Sequence, residues 1–139
     1  MITMSLCQSI KPEKVLMEFA TIFHRINDLD FVYDMIETLT FGVAASPFYK
    51  ILRMKLWGQM PTDFAKDKED LFLHLFNSWC INPVSTLTIC LLSQKYELAY
   101  NLIHKFTDEL EPRQLIQLGT LIQLIESPHF VKLRIQLMN

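Results

Sequence analysis

Apolar residues recur along this chain at helical spacing, in eight blocks separated by short polar or proline-marked breaks. Val15, Phe19, Ile22, Phe23 and Ile26 line one face of a first helix. Phe31, Met35, Ile36 and Leu39 define a second. Phe48, Ile51, Leu52, Leu56 and Trp57 define a third, with Gly58 as its stop. Leu71, Phe72, Leu75, Phe76 and Trp79 give a fourth, and Val84, Leu87, Cys90 and Leu91 a fifth. Tyr96, Ala99, Tyr100, Ile103 and Phe106 give a sixth. Leu115, Leu118, Ile122 and Ile125 give a seventh, and Phe130, Leu133 and Leu137 an eighth.

Two blocks are apolar on more than one face. Ile89 and Leu92 widen the fifth, and Ile116, Leu121 and Leu124 widen the seventh. A helix of this kind has to be covered on several sides. It is either an inner helix of a stacked array or a helix awaiting a partner.

Prolines agree with the periodicity. Pro12, Pro47, Pro83, Pro112 and Pro128 each precede an apolar run. Proline suits the first helical position, because the N–H it lacks would have no intrahelical partner there. Ser46, Asn82 and Ser127 stand just before three of these prolines. Their side-chain oxygens are expected to accept a free N–H of the first turn. Connections are short except Gln59–Lys68, which is expected to be an exposed loop.

Residues 46–56, SPFYKILRMKL, and 127–137, SPHFVKLRIQL, share one pattern: Ser-Pro-x-aromatic-x-x-Leu-Arg-x-x-Leu. The offset from Ser46 to Ser127 is that of two helical hairpins at roughly 40–47 residues each. The expected fold is therefore all-α, an α-solenoid of antiparallel hairpins of the HEAT or armadillo kind with about eight helices. Residues 1–139 read as one helical-repeat segment. The eighth helix runs into Met138-Asn139 with no polar capping helix after it, so the segment is expected to belong to a longer array or to dock its end on another chain.

Composition narrows the function classes. Half of the residues are apolar and 20% are charged, which excludes the disordered class. Net charge is −2, without the basic excess that a nucleic-acid binder shows. The basic residues Lys50, Arg53 and Lys55 fall on one helix and read as a solvated face. Three cysteines, Cys7, Cys80 and Cys90, form neither a disulfide framework nor a metal knuckle, and point to a reducing compartment. No signal peptide is visible in MITMSLCQSI. Leu71–Gln94 contains no Asp, Glu, Lys or Arg, yet Asn77, Ser78, Asn82, Ser85 and Thr86 lie within it. Two buried helices meeting at a polar turn explain this stretch better than a membrane span.

No phosphate-binding loop, C-x-x-C or H-E-x-x-H is present, so no cofactor, metal or catalytic group is assigned. His24, His74, His104 and His129 fall in different helices. His74 and Cys80 are the only pair near enough in sequence to suggest nucleophilic chemistry. The rival to a scaffold is a compact helical domain with an internal pocket, acting as a small enzyme or ligand carrier. The candidates for partner contact are Trp79, Tyr96, Tyr100, Phe130 and Arg134, residue types enriched at binding hot spots. Core packing is the competing role for each.

The string NSWCINPVSTLTICLLSQKYELAYNLIH at 77–104, followed by LIQLIESPHFVKLRIQL at 121–137, resembles the C-terminal region of the Vac-fourteen homolog family. That resemblance implies a non-catalytic HEAT-type scaffold of the complex controlling phosphatidylinositol 3,5-bisphosphate. The implied partners are a Sac-type phosphoinositide phosphatase, a FYVE-finger phosphatidylinositol 3-phosphate 5-kinase and other copies of the same chain. The implied location is peripheral, on endosomal, lysosomal or vacuolar membranes. Family members also carry a Leu/Tyr-rich continuation and a long N-terminal array, which this sequence lacks.

Overall fold

Caps and prolines decide most helix boundaries. The computed structural model describes residues 11–46, 49–57, 65–106, 110–131 and 134–135, without the side chains of 51, 55, 65–70 and 129. Among the described residues there are seven α-helices and no strand. They are α1 (Pro12–Phe23), α2 (Leu29–Ala45), α3 (Lys50–Trp57), α4 (Ala65–Trp79), α5 (Pro83–Leu92), α6 (Tyr96–Lys105) and α7 (Pro112–Glu126). A single 3-10 turn, Pro128–Phe130, follows α7. The all-α expectation holds.

Pro12, Pro83 and Pro112 occupy first turns as expected. Asn82 caps α5, its side-chain oxygen accepting the Ser85 N–H at 3.1 Å. Asp28 caps α2 in the same way through the Phe31 N–H at 3.1 Å. Each such cap contributes about 1 kcal/mol. Ser127 departs from the expectation. Its hydroxyl donates backwards to the Leu124 carbonyl at 2.6 Å, so it closes α7 rather than opening the next turn.

Three boundaries differ from the periodicity. Ile26 lies beyond the end of α1. The loop expected over Gln59–Lys68 is helical from Ala65, and residues 59–64 lie outside the described part. The run from Ala65 to Asp70 contains no Gly, Pro or β-branched residue, so nothing in it stops a helix from starting early. The eighth helix begins as a 3-10 turn, and residues 132, 133 and 136–139 lie outside the described part. The Pro47 start, the Gly58 stop and Cys7 lie outside it as well.

α1 packs on α4 and α2 packs on α5, so the second helical pair meets the first helix for helix. α7 then lies on α5. This pairing is compatible with stacked hairpins. α5 is the centre, packed against α2, α3, α4, α6 and α7, and every residue from Val84 to Leu92 is buried. The hydroxyls of Thr86 and Thr88 donate to the carbonyls of Asn82 and Val84, one turn back, at 2.9 Å each. Two of the polar side chains in the core are thereby satisfied, whereas the buried hydroxyls of Ser85 and Ser93 have no hydrogen-bond partner among the described residues. α5 ends in a Schellman turn, with the Lys95 N–H on the Cys90 carbonyl at 2.8 Å and Gln94 at φ 60°. The uncharged stretch at 71–94 is thus the second half of α4 and all of α5, meeting at Asn82. No described helix is long and apolar enough to cross a membrane.

The internal repeat has a structural cause. After α2, the Tyr49 N–H donates to the Ser46 carbonyl at 3.2 Å; after α7, the Phe130 N–H donates to the Ser127 carbonyl at 3.1 Å. Arg53 Nη1 donates to the carbonyls of Ser46 at 2.6 Å and Val43 at 2.7 Å. Arg134 Nη1 donates to the carbonyls of Ser127 at 2.7 Å and Ile125 at 2.6 Å. The last carbonyls of a helix have no intrahelical donor. A guanidinium, always charged and rich in N–H groups, satisfies two of them at once and opposes the helix dipole. Tyr49 and Phe130 are buried beneath the two turns. What the two segments share among the described residues is therefore an aromatic plug and an arginine clamp.

Candidate protein-binding surface

α7 is seated by a buried polar network. The Tyr33 hydroxyl on α2 donates to Gln117 Oε1. Gln117 Nε2 donates to Asn82 Oδ1 at 3.1 Å, and Asn82 Nδ2 donates to the Tyr33 carbonyl at 3.2 Å. All three side chains are buried. Burial pushes the Tyr33 hydroxyl above its ordinary range, so it stays a proton donor. Arg113 lies over the Tyr33 ring at 3.8 Å and pairs with Asp30 at 3.7 Å and Glu111 at 3.4 Å. The first turn of α7 is tightened by the Glu111 N–H on Gln114 Oε1 at 3.0 Å. Together these contacts set the rotation of α7, because only one of its faces carries Gln117.

The opposite face is open. Gln117 and Leu121 are buried, whereas Leu115 is 55%, Ile116 70% and Ile122 55% exposed. At 100° per residue, Leu115, Ile116, Gly119 and Ile122 share one stripe, directly opposite Gln117 and Leu121. No ionisable residue occurs between Arg113 and Glu126. Exposed apolar side chains scattered singly are ordinary, but a stripe along one rigid helix has the form of a protein contact surface.

The five aromatic and arginine candidates are distributed over several roles. Trp79 is 1% exposed, and its indole N–H donates to Thr40 Oγ1 at 2.7 Å. Phe130 is buried under the second clamped turn, and the Arg134 guanidinium is engaged with backbone carbonyls. Tyr96 is half-buried against the core, and burial raises its pKa. Tyr100 alone of the five is widely exposed, at 63%, in edge contact with the His104 ring at 4.3 Å. The stripe on α7 was missed as a site. Its signal was in the sequence, an apolar run with no ionisable residue between Arg113 and Glu126, but the pattern did not say which side the fold would leave uncovered.

Among the described residues, the two cysteines and the one Ser–His pair are held in ways that do not activate them. α4 is continuous through Trp79, so the six-residue spacing puts His74 and Cys80 on different faces. Cys80 Sγ donates to the Phe76 carbonyl at 2.9 Å, and burial pushes its thiol up. Burial pushes the Cys90 thiol up to about 12. Neither is the depressed thiol of a nucleophile. A Ser–His pair not foreseen from sequence joins α1 and α4: His24 Nε2 lies 3.0 Å from Ser78 Oγ. The one hydroxyl hydrogen of Ser78 goes to the Ala20 carbonyl at 2.8 Å. The Ala20 carbonyl thus competes with His24 for that hydrogen, and in the tautomer that satisfies both contacts His24 donates to the serine. Arg53 of the basic cluster is turned into its clamp; Lys50 is exposed and the Lys55 side chain lies outside the described residues. A cavity lined by Leu16, Thr40, Leu75 and Trp79 among others is apolar and no larger than a water molecule. Among the described residues, no three His, Cys, Asp or Glu side chains converge to hold a metal ion.

An all-helical domain with a keyed end helix and an open apolar stripe has the form of a helical protein-binding module. More narrowly, the chain belongs to the vacuolar protein 14 family, since the model described as "Vacuolar protein 14 C-terminal Fig4p binding" matches residues 1–139. It is 38% identical over 133 residues to "Vacuole morphology and inheritance protein 14" of Saccharomyces cerevisiae, covering 94% of this chain. It is 37% identical over 140 residues to "Protein VAC14 homolog" of Schizosaccharomyces pombe and 33% identical over 140 residues to that of Arabidopsis thaliana, each covering 100% of this chain. The chain spans 14%, 17% and 18% of the length of these three relatives. No solved structure matches it. The resemblance read from residues 77–104 and 121–137 thus extends over the whole chain.

Proposed function

We propose that this chain is a non-catalytic scaffold segment that holds a Sac-type phosphoinositide phosphatase within the complex controlling phosphatidylinositol 3,5-bisphosphate. The observation that carries this reading is the match of all 139 residues to a family described by its Fig4p binding. The open stripe on α7 supports it physically, because an apolar face on a rigid helix binds by burying area without any reaction. Through the larger assembly the segment works alongside a FYVE-finger phosphatidylinositol 3-phosphate 5-kinase and further copies of itself. The whole assembly sits peripherally on vacuolar, endosomal or lysosomal membranes, a location suggested by the name of the yeast relative.

The test is capture of the purified phosphatase on the immobilised chain, beside a longer chain of the same family. Retention of the phosphatase by the short chain supports the proposal. Absence of retention on both chains sinks it.

A further inference from the structure

α7 carries a residue that its own fold does not ask for. Gly119 sits within the helix at the centre of the open stripe, flanked by the apolar Leu115, Ile116 and Ile122 and by the uncharged Gln123. A Cβ built on it would meet no heavy atom within 4 Å. Its backbone is ordinary helix and no turn is made there. A glycine inside a helix is less stable than alanine, since it loses more backbone freedom on folding. Within this chain, then, Gly119 has a cost and no compensating contact.

A missing side chain at the middle of an apolar stripe does have one physical use. It lets a second rod approach closely, with the larger side chains on either side forming walls against it. We infer that a helix of the phosphatase lies across α7 at Gly119, its apolar side seated between Leu115, Ile116 and Ile122. The stripe has no ionisable side chain, so the seated segment is apolar where it crosses, and its charges lie beyond Arg113 and Glu126. A phosphatase helix is preferred to a second copy because the family match covering this whole chain is described by Fig4p binding. The inference rests on the proposed function and names where that binding occurs.

The experiment measures affinity for the purified phosphatase, solution mass and unfolding midpoint for four chains: unaltered, Gly119→Ala, Gly119→Leu and Leu73→Ser. Leu73 is an exposed apolar residue on α4 and serves as the control. A Cβ at 119 meets no clash within the chain, and the position is exposed, so the larger side chain of Gly119→Leu is directed to solvent; the unfolding midpoint checks that both variants fold. Gly119→Ala is expected to raise the midpoint by roughly 3 °C. Gly119→Leu is expected to weaken phosphatase binding about tenfold or more, while Leu73→Ser stays within about twofold. A lowered midpoint for Gly119→Ala would mean that the glycine serves the fold, which overturns the inference. Unchanged phosphatase affinity for Gly119→Leu overturns it too and leaves the proposed function standing. If that unchanged affinity comes with loss of a dimer by Gly119→Leu, the occupant is a second copy. Failure of the unaltered chain to bind removes the proposed function, and the inference with it.

Discussion

α5 and α7 are alike in sequence and opposite in environment. Each starts on proline, each is apolar on several sides, and neither has an Asp, Glu, Lys, Arg or His in its interior. α5 is enclosed by α2, α3, α4, α6 and α7, with every residue from Val84 to Leu92 buried. α7 fully buries only Gln117 and Leu121 and leaves Leu115, Ile116 and Ile122 in solvent. Apolarity around a helix therefore states a need for cover and not its source. In α5 the cover comes from the same chain; in α7 the described residues cover one side and leave the other exposed. The deepest residue of α7 is a glutamine, held in a closed network. That fixes which side faces inward and so which side is offered outward.

The contrast breaks most sharply under matched truncations. Leu87→Ala in α5 is expected to cost about 3 kcal/mol, because the buried side chain leaves both a transfer loss and a void. Ile122→Ala in α7 removes a side chain that is mostly solvated and should change stability by less than about 0.5 kcal/mol. Denaturant unfolding of the two variants measures the gap. Similar losses would mean that α7 is packed like α5.

Next in size is Gln117→Leu, expected to cost about 2 kcal/mol by leaving the buried Tyr33 hydroxyl without its acceptor. The loss should be local before it is global. Amide hydrogen exchange should accelerate along α7 while α5 keeps its protection. Equal acceleration in both helices would show that the network holds the whole core and not the end helix alone.

Much of this was legible along the chain, and the reasons are specific. Helix existence follows from periodicity, so all seven described α-helices coincide with expected apolar blocks. Asn82 capping α5 follows from a side chain bonding within its own turn, which local sequence encodes. Facing direction was less legible. Phe31 and Ile22 lie on expected apolar stripes yet are exposed, whereas Tyr33 and Thr40 are buried on α2. Those choices depend on what packs opposite, which periodicity within one helix does not contain. The Tyr33–Gln117 pair joins residues far apart in sequence, and Ser78 with His24 likewise. The repeat was visible as a string, but its cause, an arginine turning back to the helix it follows, needed coordinates. For the same reason Arg134 and Phe130 look like contact residues in sequence and prove to be engaged within the chain.

Arginine clamps give a smaller effect and a comparison within the comparison. Arg53→Met and Arg134→Met are each expected to cost about 1.5 kcal/mol, the range for charge-assisted bonds to helix-end carbonyls. Methionine keeps most of the aliphatic stem, so the loss reports the guanidinium. The Arg134 variant should loosen the end of α7, and the Arg53 variant the end of α2. Thermal unfolding with exchange read at both helix ends separates them. A variant that left its own helix end unchanged would remove the clamp as the meaning of the repeat.

The smallest effect on the folded chain is the most informative about the open stripe. Ile116 is 70% exposed, so replacing it with serine gives up little buried area. Isoleucine and serine have similar helix propensities, and the serine hydroxyl stays in water. Ile116→Ser should therefore shift stability by less than about 0.5 kcal/mol. Solvent contact should change more, with weaker uptake of an apolar dye and weaker capture of the phosphatase. Each half of that outcome constrains the other. A loss of stability above about 1 kcal/mol would mean that the isoleucine already has cover within the free chain. An unchanged stability with unchanged capture would mean that the stripe is apolar without being used. Only a silent fold joined to weakened binding matches a helix whose outer side is completed by another protein.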